Sequence, residues 1–312
     1  MSLTNKILMI RPKSFSYNHE TAVNNHYQKK TDIEDFSSIS KKVTSEFDEF
    51  KLALERNGIH VYCFEEIPSL CTPDSLFPNN WISTHKDGFL FLYPMFAENR
   101  RRERRQDIID FFVKKNRYSK IIDIASLYEE KNEFLEGTGS MVLDRFNKIV
   151  YAAISDRTHI SPLSYFCKKI NFELISFHAS QKFEEGEQLI YHTNVMMSLC
   201  ENFVIICLES IKNEIERKKI LESFSKTGKQ IIDISYDQVK KFCGNVLELK
   251  SNDSGNILAM STAAYNAFSV SQKGIMKNFC KIVHSPLGNL EKYGGGGARC
   301  MIAEIFFKPI KN

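Results

Sequence analysis

A cysteine at the end of a glycine run is the residue of this chain whose setting most suggests chemistry. Gly294-Gly295-Gly296-Gly297-Ala298-Arg299-Cys300 places four glycines before the thiol. Glycine loses the most backbone freedom on ordering, so such a run suits a loop that passes close to a bound molecule or adopts positive φ. Behind it, Met301-Ile302-Ala303-Glu304-Ile305-Phe306-Phe307 reads as a buried apolar element. A flexible loop feeding a thiol onto a rigid element is a placement for a nucleophile, and the adjacent Arg299 favours thiolate over thiol. The same residues also describe a surface turn beside a buried, inert cysteine. A nucleophilic cysteine needs a histidine within reach and a carboxylate to orient the site. His192, in His192-Thr193-Asn194, stands at the mouth of a hairpin, and Glu136, in Leu135-Glu136-Gly137-Thr138-Gly139, opens another. Each has a plainer reading, as a capping or core histidine and as a solvated loop acid.

These residues need elements to position them. Residues 6–12 read as a strand, and the polar, aromatic stretch 21–28 as a loop of the kind that lines sites. Helical spacing runs over 35–57, with Val43, Phe47, Phe50, Leu52 and Leu54 apolar and Gly58 as its C-cap. Residues 98–115 read as one helix whose exposed face carries Arg100, Arg101, Arg102, Arg104 and Arg105. Glu98, Glu103 and Asp107 dilute that run, which is read as a solvated face rather than a phosphate site. Hairpin, helix and strand then recur over 141–177, 195–234 and 246–284. This loose period implies a modular mixed sheet in which each unit packs on the next. Without a long linker, one domain over 1–312 is expected.

Composition excludes several classes. Of 312 residues, 43% are hydrophobic and 26% charged, and 42 basic against 38 acidic residues leave a net charge of +4. That balance does not point to nucleic acid or a membrane surface. No apolar run approaches the roughly 18 residues needed to span a bilayer, and the first residues lack a signal-peptide pattern. Eight cysteines lie scattered without a CxxC pair, so reduced thiols and a cytoplasmic location are expected. No ligand spacing suggests a metal, and no cofactor is expected.

In combination, four motifs resemble a known group: Phe134-Leu135-Glu136-Gly137, Ser155-Asp156-Arg157-Thr158, His192-Thr193-Asn194 and Gly295-Gly296-Gly297-Ala298-Arg299-Cys300-Met301. In that order they resemble the guanidino-group-modifying superfamily of arginine deiminases, dimethylarginine hydrolases and amidinotransferases. The likeness is greatest to its bacterial citrulline utilisation hydrolases and amidinotransferase-related proteins, where Thr21-Ala22-Val23-Asn24-Asn25 and Phe77-Pro78-Asn79-Asn80-Trp81 also look familiar. The resemblance implies an α/β fold, the pentein five-bladed propeller of ββαβ-type units around a central active site. It also implies roles. Cys300 would be the nucleophile, His192 the acid and base, and Glu136 the carboxylate holding the terminal nitrogens. Arg157 would grip the α-carboxylate bidentately. Asn25, Phe77, Asn80, Asn194 and Arg299 complete the implied substrate-binding set.

Two departures bear on the substrate. Asn80 and Asn194 stand where arginine deiminases carry aspartates. Amides offer a donor as well as an acceptor and suit a neutral ureido group. Citrulline, hydrolysed to ornithine, is therefore the expected substrate. Arginine, by a deiminase or dihydrolase reaction, is the alternative, with amidino transfer to an amine or a catalytically inactive binding protein as rival classes. The expected partner is a small amino acid, and the sequence leaves a homodimer open.

Overall fold

The apolar runs of the sequence become the middle strands of small sheets. The computed structural model describes residues 3–29, 36–114, 118, 120–183, 186–253 and 255–307. β1 (Lys6–Arg11) buries Ile7, Leu8, Met9 and Ile10 in succession, and the helix Phe36–Glu55 leads to β2 (His60–Glu65), parallel to it. A strand covered on both faces carries such an unbroken apolar run rather than an alternating one. β3 (Ile82–Thr84) pairs antiparallel with β4 (Phe89–Leu92), and the helix Gln106–Lys114 leads to β5 (Lys120–Asp123), parallel to β4. The order repeats in β6 (Val142–Asp144), β7 (Ile149–Ala153), the helix Ile160–Ile170 and β8 (Glu173–Phe177). A separate hairpin follows, β9 (Ser180–Phe183) with β10 (Gly186–Leu189).

Two further units complete the set. They are β11 (Met197–Leu199), β12 (Phe203–Ile206), the helix Glu214–Lys226 and β13 (Gln230–Asp233); then β14 (Leu247–Lys250), β15 (Asn256–Ser261), the helix Val270–Lys277 and β16 (Lys281–Ser285). Finally β17 (Ala303–Glu304) returns to β1, setting Ile7 opposite Glu304 and Leu8 opposite Ala303. The first unit is thus built from both ends of the described chain. First strands of neighbouring units touch, β6 with β11, β11 with β14 and β17 with β3. Five ββαβ units set around an axis make the expected pentein α/β propeller.

Local chemistry explains the helices that cross between strands. In Phe36–Glu55, Ile39, Val43, Phe47, Phe50 and Leu54 recur every three or four residues and are all buried. The side chain of Asn213 accepts the N–H groups of Ile215 and Glu216, and Ser269 with Gln272 forms a reciprocal capping box. Each such cap contributes about 1 kcal/mol.

Three expectations need correction. The helix expected over 98–115 is broken into Glu98–Arg101 and Gln106–Lys114, and its arginine face is only partly solvated, since Arg102 is exposed but Arg100 is only 2% exposed. Buried acceptors on Asp74, Phe77, Asn80 and Glu103 draw that guanidinium inward, which a continuous helix with an outward face would not allow. The glycine run is only partly loop. Gly294 closes the helix Gly288–Gly294, and Gly295, at φ 65°, ends it in the left-handed conformation. The apolar element expected over 301–307 forms a strand only at Ala303–Glu304. Positions 35 and 115, the outer bounds of two expected helices, lie outside the described residues.

Candidate active site

The segments leading into the five first strands meet at one end of the axis. Phe77 precedes the tight turn Pro78–Asn80 before β3, and Glu136 the helical turn Gly137–Ser140 before β6. His192 heads the turn Thr193–Met196 before β11, Gly244-Asn245 comes before β14, and Cys300 before β17. Each segment delivers a polar or reactive side chain, and Glu136, His192, Asn245 and Cys300 are all buried. Gly139 shows how tightly they interlock. A Cβ there would lie 2.3 Å from Asn80 Nδ2 and 2.8 Å from the His192 ring.

His192 and Glu136 form the centre. Nε2 of the imidazole lies 2.8 Å from Glu136 Oε2, while Oε1 accepts the Phe96 N–H at 3.0 Å. Two guanidinium groups flank the same carboxylate, Arg157 Nη1 at 3.6 Å and Arg100 Nη1 at 3.8 Å. Burial by itself would raise the Glu136 pKa, but Arg157, the imidazole hydrogen bond and Arg100 hold it well below the usual carboxylate range. Burial likewise disfavours charge on His192 and pushes it down to about 4, although Glu136 opposes the shift. The resting pair is therefore a neutral imidazole donating Nε2–H to a carboxylate.

Cys300 lies against the same loops. Its Sγ is 3.2 Å from Asn245 Nδ2 and 3.5 Å from Asn194 Nδ2, two residues beyond His192. Burial pushes the thiol up, opposed by the Asn245 and Asn194 donors and by the charge of Arg299. Phe77 packs on the glycine run, so that a Cβ on Gly296 would meet its ring at 2.8 Å and Cys300 Cβ at 3.3 Å.

A shell of anchoring groups surrounds these three. Arg157 donates through Nε to Asn24 Oδ1 at 2.8 Å and through Nη2 to Thr21 O at 2.7 Å and to Asn24, and it stacks 4.6 Å over the Tyr191 ring. Through Thr21 and Asn24 the stretch 21–28 packs against this candidate site. Asn25 Nδ2 donates to Gly295 O at 3.3 Å and holds the glycine run rather than an open face. Asn80 Oδ1 accepts from Arg100 Nη1 at 2.9 Å.

Arg299 is the one expected binding residue that turns away. Its guanidinium donates to Ile302 O at 2.8 Å and pairs with Glu304 at 3.0 Å, toward the opposite end of the axis. The two residues sit in the turn 298–301 before β17, whose bonds Cys300 N–H to Gly297 O and Ile302 N–H to Arg299 O carry the two side chains to different sides.

Sequence reasoning missed several groups here. Arg100 makes a bidentate fork with Glu103, at 2.8 and 2.9 Å. Asp74 accepts from Asn18 Nδ2 at 2.8 Å and Thr21 Oγ1 at 3.0 Å through Oδ2, while its buried Oδ1 has no hydrogen-bond partner among the described residues. Turn-rich context around Asp74 gave no signal, and Arg100 was hidden in a charge run. Asn245 could have been found, because it holds the place before β14 that the other site residues hold before their strands. Among the described residues, no three His, Cys, Asp or Glu side chains are grouped as metal ligands, and no helix is long and apolar enough to cross a membrane.

With this geometry in hand, likeness to known proteins can be weighed. No curated protein matches the chain. Among solved structures, ArgZ, an arginine dihydrolase from the ornithine-ammonia cycle in cyanobacteria, superposes with a TM-score of 0.71 at 16% identity, covering 98% of this chain and 41% of that one. Its N-terminal domain bound to substrate gives 0.70 at 15%, covering 97% and 98%. A dimethylarginine dimethylaminohydrolase adduct with S-methyl-L-thiocitrulline gives 0.64 at 14%, covering 97% and 100%. At such identities the likeness is one of fold, and the chain spans about two fifths of full-length ArgZ. The family described as N,N dimethylarginine dimethylhydrolase, eukaryotic, matches residues 11–307. The chain belongs to that family, and with it to the guanidino-group-modifying pentein superfamily.

Proposed function

We propose that this chain hydrolyses the guanidino group of a free amino acid through a covalent Cys300 intermediate, taking arginine by way of citrulline to ornithine. Buried charge carries the reading. Burial pushes Glu103 up to about 7, so above neutrality it is charged and balances Arg100 in their fork. The remaining groups are one cation, Arg157, and two anions, Glu136 and Asp74, the latter with a buried oxygen lacking a partner. Free arginine carries one net positive charge near neutrality and citrulline none. A ligand with that net charge balances the set, whereas uncompensated buried charge is costly.

The amides that favoured citrulline lose weight as a pair. Asn80 Oδ1 already accepts from Arg100, and Asn194 Nδ2 faces the sulfur. Citrulline then enters as the product of the first round and the substrate of the second. The names of the fold neighbours, arginine dihydrolases, support this order.

Chemically, Cys300 loses its proton to the neutral imidazole of His192, and the sulfur attacks the central guanidino carbon. The carbon–nitrogen bond to the terminal nitrogen breaks, and that nitrogen leaves as ammonia with the proton from His192. Glu136 stabilises the transient imidazolium. Water, deprotonated by the same imidazole, adds to the thioether-linked carbon, and the carbon–sulfur bond breaks to release the ureido product. Repetition on citrulline yields ammonia and a carbamate that falls to carbon dioxide and ornithine.

The family match favours a second reading, in which dimethylarginine is the substrate and dimethylamine the leaving group. Incubation with arginine, citrulline and dimethylarginine, with citrulline, ornithine and released amines quantified, decides between them. Ornithine formed from arginine supports the proposal. Turnover of dimethylarginine alone, or of citrulline with no action on arginine, overturns it.

A further inference from the structure

We propose that Asn245 is a catalytic residue of this site, a fixed hydrogen-bond donor that holds the Cys300 sulfur in place and stabilises its thiolate. The inference rests on Cys300 being the nucleophile, as read above, but not on which guanidino compound is bound. Asn245 is 1% exposed and stands two residues before β14, in the lead-in segment from which the other units deliver Asn80, Glu136, His192 and Cys300. Without it, the fifth unit would give nothing to the site.

Its amide has one permitted orientation. Oδ1 accepts the Arg299 N–H at 3.1 Å, a group that can only donate, and Nδ2 donates to Asn194 O at 2.9 Å, a group that can only accept. Rotating the amide by 180° would break both bonds and set oxygen against oxygen. The second hydrogen of Nδ2 is thereby aimed at Sγ, 3.2 Å away. The bonded groups also tie two units together, the segment 192–194 that carries His192 and the segment 297–300 that carries the thiol. Asn245 thus sets the position of sulfur relative to the histidine loop.

A donor matters more to a thiolate than to a thiol, because hydrogen bonds to an ionised acceptor are about twice as strong as neutral ones. Other groups act on the sulfur too. Arg299 contributes charge from the next residue, Asn194 a longer hydrogen bond, and Tyr191 a buried hydroxyl whose own ionisation the thiolate opposes. Of the side-chain donors, Asn245 is the nearer, and it alone is locked by partners on both sides.

Site-resolved alkylation tests this without any substrate. The rate of Cys300 modification by iodoacetamide, read by peptide mass spectrometry across pH, reports the midpoint for thiolate formation. Asn245→Ala is expected to move that midpoint up by about 1–2 pH units, the loss of one charge-assisted bond. Asn245→Asp keeps the shape but replaces the donor by an anion, so its midpoint should move further still. That variant decides the matter if the alanine protein fails to fold. An unchanged midpoint in either folded variant overturns the assignment. Absence of hydrolysis of every guanidino compound by the unaltered protein, with the shift present in the variants, would sink the proposed function and leave Asn245 standing. Normal hydrolysis with no shift would do the reverse.

Discussion

The two ends of the propeller axis are built from the same five first strands and differ in what those strands deliver. At one end, the segments before the strands bring Asn80, Glu136, His192, Asn245 and Cys300 into a close-packed, buried set. At the other, the turns after β6 and β11 surround a cavity of about 300 Å³ lined by Asp144, Arg145, Lys229, Glu248, Arg299 and Glu304. The open end has the space, and most of its charges are already paired, although Arg145 Nη2 has no hydrogen-bond partner among the described residues. Lys229 lies 3.6 Å from Asp144 and donates to Cys200 O at 3.0 Å, Arg299 pairs with Glu304, and Glu248 accepts from Glu201 N and Asn256. The closed end keeps a buried thiol and an Asp74 oxygen with no hydrogen-bond partner among the described residues. Convergent groups with chemistry left to do mark the site better than volume does.

Substitutions at the two ends should separate accordingly. Cys300→Ala is expected to lower turnover by about 10⁴-fold or more and to abolish covalent trapping, whereas Cys200→Ala, beside the open cavity, should leave turnover near native. Stopped assays on both variants check this. Next in size, Glu136→Gln removes the charge that supports the imidazolium, with an expected loss in kcat of about 10²–10⁴-fold. Asp74→Asn should raise KM for arginine by about 10–100-fold, with a smaller effect on citrulline, since one charge-assisted contact to a cation is lost.

A pH dependence gives a finer test. Glu103, pushed up to about 7 by burial against the pull of Arg100, gains a proton as pH falls through that value. The site then becomes more positive, so KM for cationic arginine should rise below neutrality while that for neutral citrulline stays flat. Parallel profiles for the two substrates would contradict the charge argument. Smallest of all for catalysis, Arg299→Met breaks the pair with Glu304 at the far end. It should cost about 1–3 kcal/mol of stability, seen as a lower urea midpoint, with only a modest change in kcat/KM.

How much of this was legible beforehand follows from which forces are local. The hairpin, helix and strand order of each unit is written in short apolar runs and turn residues, so the repeat was visible from residue 141 onward. Cys300, His192 and Glu136 sit in motifs distinctive enough to be read in order. Arg100 was not readable, because Arg100-Arg101-Arg102 next to Glu98 and Glu103 looks like any solvated helix, and only the buried acceptors on Asp74 and Asn80 show otherwise. Arg299 was misplaced because adjacency along the chain was taken for adjacency in space. Asn245 left only a faint sign, an asparagine after a glycine, and its meaning appears once the five units are laid side by side.

Mass spectrometry of enzyme quenched during arginine turnover bears most directly on the central claim. The account predicts an adduct on the Cys300 peptide with the mass of arginine less ammonia, absent from Cys300→Ala. Active enzyme with no adduct at Cys300, or with the mass on another cysteine, would contradict it.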